Sequence, residues 1–202
     1  MKIGPKFKIA RRLGAPIFEK TQTQKYQVSL SRKEAAGKMP AMARSEYGRQ
    51  RTEKQKVRFT YGISEKQFGN YIKKALSAAG TDQTGVLYRL LESRLDNTIY
   101  RMGLAKTRRA ARQMVSHGHI TINDRKVTIP SYAVSQGDVI KVRAGSAGAG
   151  MFVGLSERIK ERSAPKWLTF DGEVREGKVL ALPSTENAID LDLKSVFEFY
   201  SR

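Results

Sequence analysis

His117 and His119 are the residues whose type and spacing most suggest chemistry, because paired imidazoles bind metals and transfer protons. They flank Gly118 and are the only histidines in a chain that has no cysteine. A zinc site needs further thiolate, carboxylate or imidazole ligands, and no acidic cluster adjoins this pair. We therefore predict a helix-capping or partner-contacting role for both histidines, with no metal and no other cofactor.

Asp96 and three glycines are the other features that resemble catalytic motifs. Asp96 lies on a predicted helix between Arg94 and Arg101, which favours a local ion pair over an acid–base role. The glycines at 145, 148 and 150 lack the following Lys-Ser/Thr pair of a phosphate-binding loop, and their composition predicts a flexible linker. These residues therefore predict that the chain is not an enzyme.

The strongest chemical signal is a set of cations on one face of a predicted helix. The helix begins after Thr107 and ends at Gly118, with Ala111, Met114 and Val115 recurring at helical spacing. The opposite stripe is polar and basic and consists of Arg108, Arg109, Arg112, Gln113 and Ser116. Such a stripe suits phosphate groups rather than an apolar ligand.

The charge of the whole chain also indicates a polyanionic partner. Its 38 Lys and Arg residues outnumber 19 Asp and Glu, which gives a net charge of +19. Residues 1–60 hold 16 basic and 4 acidic residues, whereas residues 151–202 hold 8 and 9. A regional excess of this kind favours a surface that neutralises phosphates, since counterion release then drives binding.

Helical and strand-like periods predict the elements that position these cations. Residues 64–80, which open with a capping sequence, and residues 84–103 form two core helices, while residues 49–59 form a charged helix that needs a partner surface. After Gly118 apolar and polar residues alternate, as in a β-strand. This alternation predicts a hairpin at 120–129, a strand at 139–142, and a second hairpin that pairs 167–170 with 179–182.

The two ends of the chain carry different signals. Residues 1–40 have no sustained period, so we expect them to lack packed structure without a partner. The first residues lack the apolar stretch of a secretory signal, and no apolar run approaches the roughly 20 residues that span a bilayer, which predicts a cytoplasmic location. Residues 196–200 are so aromatic that they are expected to be buried.

Several strings resemble a known RNA-binding module. SRLDN at 93–97, YRMG at 100–103, TRRAARQ at 107–113 and HGHI at 117–120 closely resemble the αL RNA-binding domain named after ribosomal protein S four, the S4 domain. The flanking strings KQKVR at 54–58, YGISEKQF at 61–68, LLE at 90–92 and EFYSR at 198–202 resemble the bacterial-type ribosomal protein S four family (uS4). The resemblance covers residues 44–202.

This resemblance implies an α+β fold: a discontinuous helical domain with an inserted αL domain of two helices and a small antiparallel sheet. The implied parts are a basic N-terminal extension at 1–43, a helical rRNA-binding domain at 44–91 with 186–202, and the αL RNA-binding domain with a C-terminal hairpin at 92–185. Family members often hold zinc through four N-terminal cysteines, which this chain lacks. The side chains that then have to pack against one another or against RNA are Phe7, Ile9, Leu13, Ile17 and Phe18.

The resemblance also implies a structural component of the small ribosomal subunit that binds 16S rRNA directly, nucleates assembly of the subunit body and contributes to translational accuracy. Its implied partners are 16S rRNA, neighbouring proteins of the S five and S twelve types and mRNA near its entry path, with no membrane. The expected RNA-binding residues are Arg44, Arg49, Arg51, Lys54, Lys56, Arg58, Lys106, Arg108, Arg109, Arg112, Gln113, Ser116, His117, His119, Asn123 and Lys126.

Two other functions share these features. An RNA-modifying enzyme anchored by the αL domain needs a separate catalytic domain of well over about 100 residues, and no such stretch remains outside residues 92–143. A free regulator that binds messenger RNA stays open, because the same phosphate-reading surface serves both functions.

Overall fold

The computed structural model of the chain describes residues 3–38, 45–78, 82–160, 164–184 and 191–201, so Arg44 lies outside the described residues. Two compact units are present, Met1–Ala79 with Ile189–Arg202 and Gly80–Ala188. The helices are α1 (Lys6–Leu13), α2 (Gln24–Ala35), α3 (Glu46–Tyr61), α4 (Glu65–Leu76), α5 (Gln83–Glu92), α6 (Leu95–Arg101), α7 (Arg108–Ser116), α8 (Leu155–Lys160) and α9 (Leu193–Tyr200). The strands are β1 (Ile120–Ile122), β2 (Arg125–Lys126), β3 (Val139–Val142), β4 (Leu168–Asp171) and β5 (Glu176–Val179). Within the described ranges no helix is long and apolar enough to cross a membrane.

The N-terminal residues form two helices, α1 and α2, that the sequence pattern did not predict. Ala10, Phe18 and Tyr26 are buried together, and Phe59 of α3 packs on this cluster. The ring of Phe7 meets that of Tyr26 edge-on at 5.1 Å between centroids. Of the two expected alternatives, packing against one another or against RNA, the structure shows the first for Phe7, Ile9, Ile17 and Phe18. The expectation of no packed structure fails here because Ala10, Phe18 and Tyr26 come from separate segments and form one small core only in the folded chain.

α9 packs along α3 within the first unit. Val57 of α3 is fully buried, and Tyr47 stacks on Phe199 with ring centroids 5.4 Å apart. Tyr200 meets Phe68 of α4 edge-on at 6.2 Å. The predicted burial of the C-terminal aromatic segment is confirmed for Val196 and Phe197, while Phe199 and Tyr200 are half-buried. The partner surface includes the narrow apolar side of the charged helix α3 as well as α4.

The second unit builds one core from α6, α7 and an antiparallel sheet with strand order β2-β1-β3-β5-β4. Leu95, Ile99, Val115, Ile120 and Ile140 are fully buried in it. At about 25 cal/mol per Å² of apolar surface removed from water, such side chains dominate the stability of the unit. The predicted α+β class with a small antiparallel sheet is confirmed.

The β1–β2 hairpin turns at Asn123 and Asp124, whose φ angles of 48° and 65° match the type I′ turn favoured in two-residue hairpins. Thr121 pairs with Lys126 in β2, and one more backbone hydrogen bond follows, from the Val127 N–H to the Ile120 carbonyl at 3.2 Å. Ile129, predicted to lie in the returning strand, is exposed. The hairpin is therefore present but shorter than its sequence period predicts.

The helix predicted over residues 84–103 is two helices, α5 and α6. Arg94, between them, is extended and forms an isolated bridge with Ala133. The next residue, Leu95, donates its backbone N–H to the Tyr132 carbonyl at 2.8 Å. The helix breaks because residues 130–134 provide backbone partners that a continuous helix would exclude.

Residues 145–150, predicted to form a flexible linker, lie in ordered turns. Short 3₁₀ helices span Ala144–Ser146 and Gly150–Phe152, and both Ser146 and Phe152 are buried. The second predicted hairpin is formed by β4 and β5, which pair Leu168 with Val179. It contains no strand residues beyond Val179, and Leu182 is exposed.

Candidate functional site

α7 buries one face and exposes another. It begins at Thr107, whose Oγ1 accepts the backbone N–H of Ala110 at 3.0 Å, as a helix N-cap does. Ala111, Met114 and Val115 are buried, as predicted. The opposite residues, called the α7 face below, are Arg108, Arg109, Arg112, Gln113 and Ser116; Arg109, Gln113 and Ser116 are exposed and the other two are half-buried.

Two arginines of the α7 face are held by α6. Arg108 Nε donates to Asn97 Oδ1 at 2.8 Å, and its guanidinium carbon lies 4.3 Å from the centre of the Tyr100 ring. Arg112 Nε donates to Asp96 Oδ2 at 2.9 Å, and its Nη2 is 2.7 Å from the same oxygen. These contacts orient both guanidinium groups before any ligand arrives, which lowers the entropy lost on binding.

Asp96 is a buried carboxylate shared by two arginines. Arg94 donates from Nε to Oδ1 at 3.0 Å and from Nη2 to Oδ2 at 2.7 Å, and Arg112 binds the same Oδ2. The predicted local ion pair of Asp96 is confirmed. Arg101, its other expected neighbour, binds Glu92 instead.

Glu92 is a residue of this site that the sequence analysis missed. Its fully buried side chain accepts from Arg101 Nε and Nη2, each at 2.8 Å, and from Asn97 Nδ2 at 2.9 Å. Since Asn97 also accepts from Arg108, Glu92 lies at the base of a network that ends on the α7 face. The available signal was its position directly after the core residue Leu91, where an acid needs buried partners.

Replacing Glu92 by alanine is expected to lower the free energy of unfolding of the second unit by about 3–5 kcal/mol, because loss of one partner of a buried ion pair leaves the other uncompensated. The fluorescence of Trp167, the only tryptophan and a buried residue of this unit, reports urea unfolding. Glu92→Gln is the control. It is expected to lose less stability, because glutamine keeps one acceptor oxygen and the side-chain volume. If Glu92→Ala unfolded at the same urea concentration as the wild type, Glu92 would not stabilise the unit through its buried ion pair.

The hairpin and its flanks contribute both exposed and structural polar residues. The predicted contacts that are exposed here are Lys106, His117, Asn123 and Lys126, while His119 is half-buried. His119 Nδ1 lies 2.9 Å from Ser146 Oγ, and Asn123 Oδ1 accepts the backbone N–H of Val139 at 2.9 Å. His119 and Asn123 therefore hold neighbouring loops, while Lys106, His117 and Lys126 are open to a ligand.

Gly118 allows Lys126 to lie against the end of α7. Its φ is 72°, and a Cβ built on it would overlap the Cε atom of Lys126. Only glycine combines this backbone with such a close approach. Because Gly118 directly follows His117, the Lys126 side chain makes the hairpin continuous with the α7 face.

α3 carries five of the predicted RNA-binding cations, called the α3 cations below, and four of them are paired. The pairs are Arg49 with Glu46 at 2.9 Å, Lys54 with Glu65 at 2.6 Å, Lys56 with Glu53 at 2.7 Å and Arg58 with Glu65 at 2.9 Å. The fifth, Arg51, is exposed and has no acidic partner within the described part of the chain. Lys54 is only 7% exposed, and its Nζ lies 4.3 Å from the centre of the Phe199 ring, so its ammonium group holds α9 and α4 to α3.

Glu65 is bound from three sides in the first unit. Its Oε1 accepts from Lys54 and from the Tyr200 hydroxyl, the latter at 3.0 Å. Burial raises the pKa of Glu65, but the hydrogen bonds from Lys54 and Tyr200 and the charges of Lys54 and Arg58 outweigh it, so the pKa lies below its ordinary value. A carboxylate whose pKa is lowered by folding stabilises the folded state at any pH above the pKa that it has in the unfolded chain. This stabilisation is lost as the pH falls into the acid range.

Glu65→Gln is therefore expected to destabilise the first unit at pH 7 and to have little effect in acid. The stability advantage of the wild type should be complete above the ordinary glutamate pKa of the unfolded chain and should disappear as the pH falls through the lowered pKa of folded Glu65. The measurement is urea unfolding of both proteins across pH 3–8, followed by circular dichroism. If the stability difference between the two proteins did not change between pH 3 and 8, Glu65 would act through packing alone.

Comparisons with known proteins found two family models and several relatives that match this chain. A model described as the ribosomal protein S4/S9 N-terminal domain matches residues 1–92, and one described as the S4 domain matches residues 93–140. The chain is 43% identical over 205 residues to the small ribosomal subunit protein uS4 of Listeria monocytogenes serotype 4b, covering 98% of each chain. It is 42% identical over 202 residues to that of a Sulfurihydrogenibium species, again covering 98% of each. With that of Acetivibrio thermocellus it shares 48% identity over 160 residues, 78% of this chain and 76% of the relative.

Proposed function

Because this chain belongs to the small ribosomal subunit protein uS4 family, we propose that its α7 face and β1–β2 hairpin bind the phosphate backbone of 16S rRNA. As a member of this family, the chain is a structural component of the small ribosomal subunit and not an enzyme. Its rRNA-binding role fits both the family and the net charge of +19.

The observation that supports this proposal most is the prior orientation of the arginines on α7. Asp96 and Asn97 hold Arg112 and Arg108 through short hydrogen bonds, while Arg109 between them is exposed. Oriented guanidinium groups bind phosphate oxygens in a bidentate manner, which lysine does not. This arrangement suits the regular phosphate spacing of an RNA helix better than an apolar or peptide ligand.

The proposed contact residues fall into two groups. In the second unit they are Lys106, Arg108, Arg109, Arg112, Gln113, Ser116, His117 and Lys126, with His119 and Asn123 shaping the loops between them. In the first unit they are Arg44 and the α3 cations, with Arg51 the most available in the described structure. We propose residues 44–91 with 186–202 as the helical rRNA-binding domain, residues 92–185 as the inserted αL domain and residues 1–43 as the basic extension.

The wider role rests on the same surfaces. We propose that direct 16S rRNA binding nucleates assembly of the subunit body and that the chain contributes to translational accuracy. The proposed neighbours are proteins of the S five and S twelve types, together with mRNA near its entry path. The C-terminal part, with 8 basic and 9 acidic residues over 151–202, is better suited to protein neighbours than to RNA, since it offers no excess of positive charge.

Binding to full-length 16S rRNA, measured against an unrelated transcript of equal length, tests the main proposal. The purified chain is expected to retain the 16S rRNA in an excess of the unrelated RNA and to co-sediment with small subunits in a sucrose gradient. A chain that stayed off the subunits and bound a messenger RNA equally tightly would instead be a free regulator. Salt must be held constant, because phosphate contacts make affinity strongly salt-dependent.

A further inference from the structure

A concave site lies between α1 and α3 in the first unit. It encloses about 400 Å³, which falls in the range of roughly 300–1,000 Å³ occupied by small-molecule sites. Apolar atoms come from Ile9, Leu13 and Phe59, and polar groups come from Arg12, Arg51 and Gln55. A pocket with an aromatic wall and cations suits a planar ring that carries a negative charge.

The two arginines of this pocket are available for a ligand. Arg12 and Arg51 are both exposed, and neither has an acidic partner among the residues that the structure describes. On the same helix α3, Arg49 and Arg58 are paired with Glu46 and Glu65. The chain thus neutralises other cations of α3 and leaves the cation at the pocket unpaired.

The amide of Gln55 supplies a third indication. Its Oε1 atom is buried and has no hydrogen-bond partner in the described part of the chain. A buried polar atom without a partner costs free energy that a ligand's hydrogen bond would recover. Nucleobase edges carry such donors and acceptors, whereas lipid tails and simple anions do not offer them beside a planar ring.

We propose that this pocket binds one unpaired nucleotide of the ribosomal RNA. The base lies against Phe59 and the aliphatic wall, its edge meets the Gln55 amide, and the flanking phosphates bind Arg12 and Arg51. This proposal rests on the proposed rRNA-binding function and adds to it a recognition site for single-stranded RNA, where a base turned out of its stack is read by an aromatic side chain.

A titration with adenosine 5′-monophosphate, followed by methyl NMR of the full chain, tests the pocket directly. The stacked base is expected to shift the Ile9 and Leu13 methyl signals upfield through its ring current, while the buried Ile140 methyl of the other unit stays unchanged. Ribose 5-phosphate, which lacks the base, is the control ligand and should leave the Ile9 and Leu13 signals near their free positions. Equal shifts with both ligands, or none with either, would overturn the proposal.

A double variant connects the pocket to the rRNA itself. Arg12→Ala with Arg51→Ala is expected to abolish the nucleotide-induced shifts and weaken 16S rRNA binding about tenfold or more, with the salt slope reduced by about 1.4, roughly 0.7 per lost single-strand phosphate contact. The control, Lys73→Ala with Lys74→Ala, removes two exposed charges from α4 and should keep the shifts.

These measurements separate the pocket from the wider function. If the wild-type chain binds 16S rRNA and the Arg12/Arg51 variant binds it equally well, the nucleotide site fails while the proposed function stands. If the variant binds 16S rRNA as well as the wild type does, and adenosine 5′-monophosphate still shifts the wild-type methyl signals, the pocket is a site for free nucleotides. That outcome would also overturn the proposal. If the wild-type chain does not bind 16S rRNA at all, the proposed function itself fails.

Discussion

Replacing Arg108, Arg109 and Arg112 together by alanine is expected to weaken binding to 16S rRNA by about 1,000-fold or more. Each charge-assisted hydrogen bond to phosphate contributes roughly 1.5 kcal/mol or more, and about 1.4 kcal/mol is a factor of ten in affinity. The slope of log affinity against log salt should also fall in magnitude by about 2, because each contact contributes about 0.7–0.9. Filter binding at several salt concentrations measures both quantities.

A matched variant distinguishes a specific face from a general loss of charge. Lys66, Lys73 and Lys74 are three exposed cations of α4, and their replacement by alanine removes the same charge from a different element. Folding of the arginine variant is checked by Trp167 fluorescence, and Asp96 keeps its bond to Arg94. If the arginine variant retained the wild-type affinity and slope, the α7 face would not be the binding surface, and the α3 cations would become the main candidates.

Local signals explain most of what could be predicted about the fold. Ser64 accepts the backbone N–H of Gln67 at 3.3 Å, and Thr107 caps α7, both as their sequence patterns indicate. Asn123 and Asp124 form the tight turn of the predicted hairpin. In each case the side chain that determines the geometry lies within a few residues of the backbone that it organises, so one sequence window contains the whole cause.

Features that depend on distant residues could not be predicted in this way. The break between α5 and α6 requires backbone partners from residues 130–134, about 40 positions downstream. Phe18 is buried by a T-shaped contact with Phe59 at 6.2 Å, so the N-terminal core depends on α3. Ser146 is held by His119. Neither the missing period of residues 1–40 nor the composition of residues 145–150 carries information about such long-range partners.

The same distinction applies to the binding surface. Helical spacing identified which residues share a face on α7, but it did not show that Glu92 and Asp96 lie beneath that face. On α3, spacing identified the cations but not their acidic partners, so it treated Lys54 and Arg51 alike. Lys54 is buried against Phe199, whereas Arg51 is exposed. On α3, exposure and pairing therefore distinguish Arg51 from the four cations that already have acidic partners.

Deletion of the last six residues, 197–202, is expected to lower the stability of the first unit by about 5 kcal/mol or more. Loss of one buried aromatic side chain costs roughly 3–5 kcal/mol, and the deletion removes three aromatic residues, of which Phe197 is buried. It also removes Glu198, which accepts from Gln50 Nε2 at 2.9 Å. Since α9 packs along α3, α3 would lose much of the cover on its apolar side.

Amide hydrogen exchange measures this loss residue by residue. Exchange at Val57 in α3 and at Phe68 and Ile72 in α4 should accelerate strongly, because local opening follows the stability of the unit that contains these amides. Deletion of residues 201 and 202 alone leaves α9 and its aromatic side chains in place and should change little. Unchanged protection of Phe68 and Ile72 in the six-residue deletion would mean that α3 and α4 hold together without the C-terminal helix. Faster exchange there would instead show that the two ends of this discontinuous unit fold cooperatively, as burial of the C-terminal aromatic residues against α3 and α4 requires.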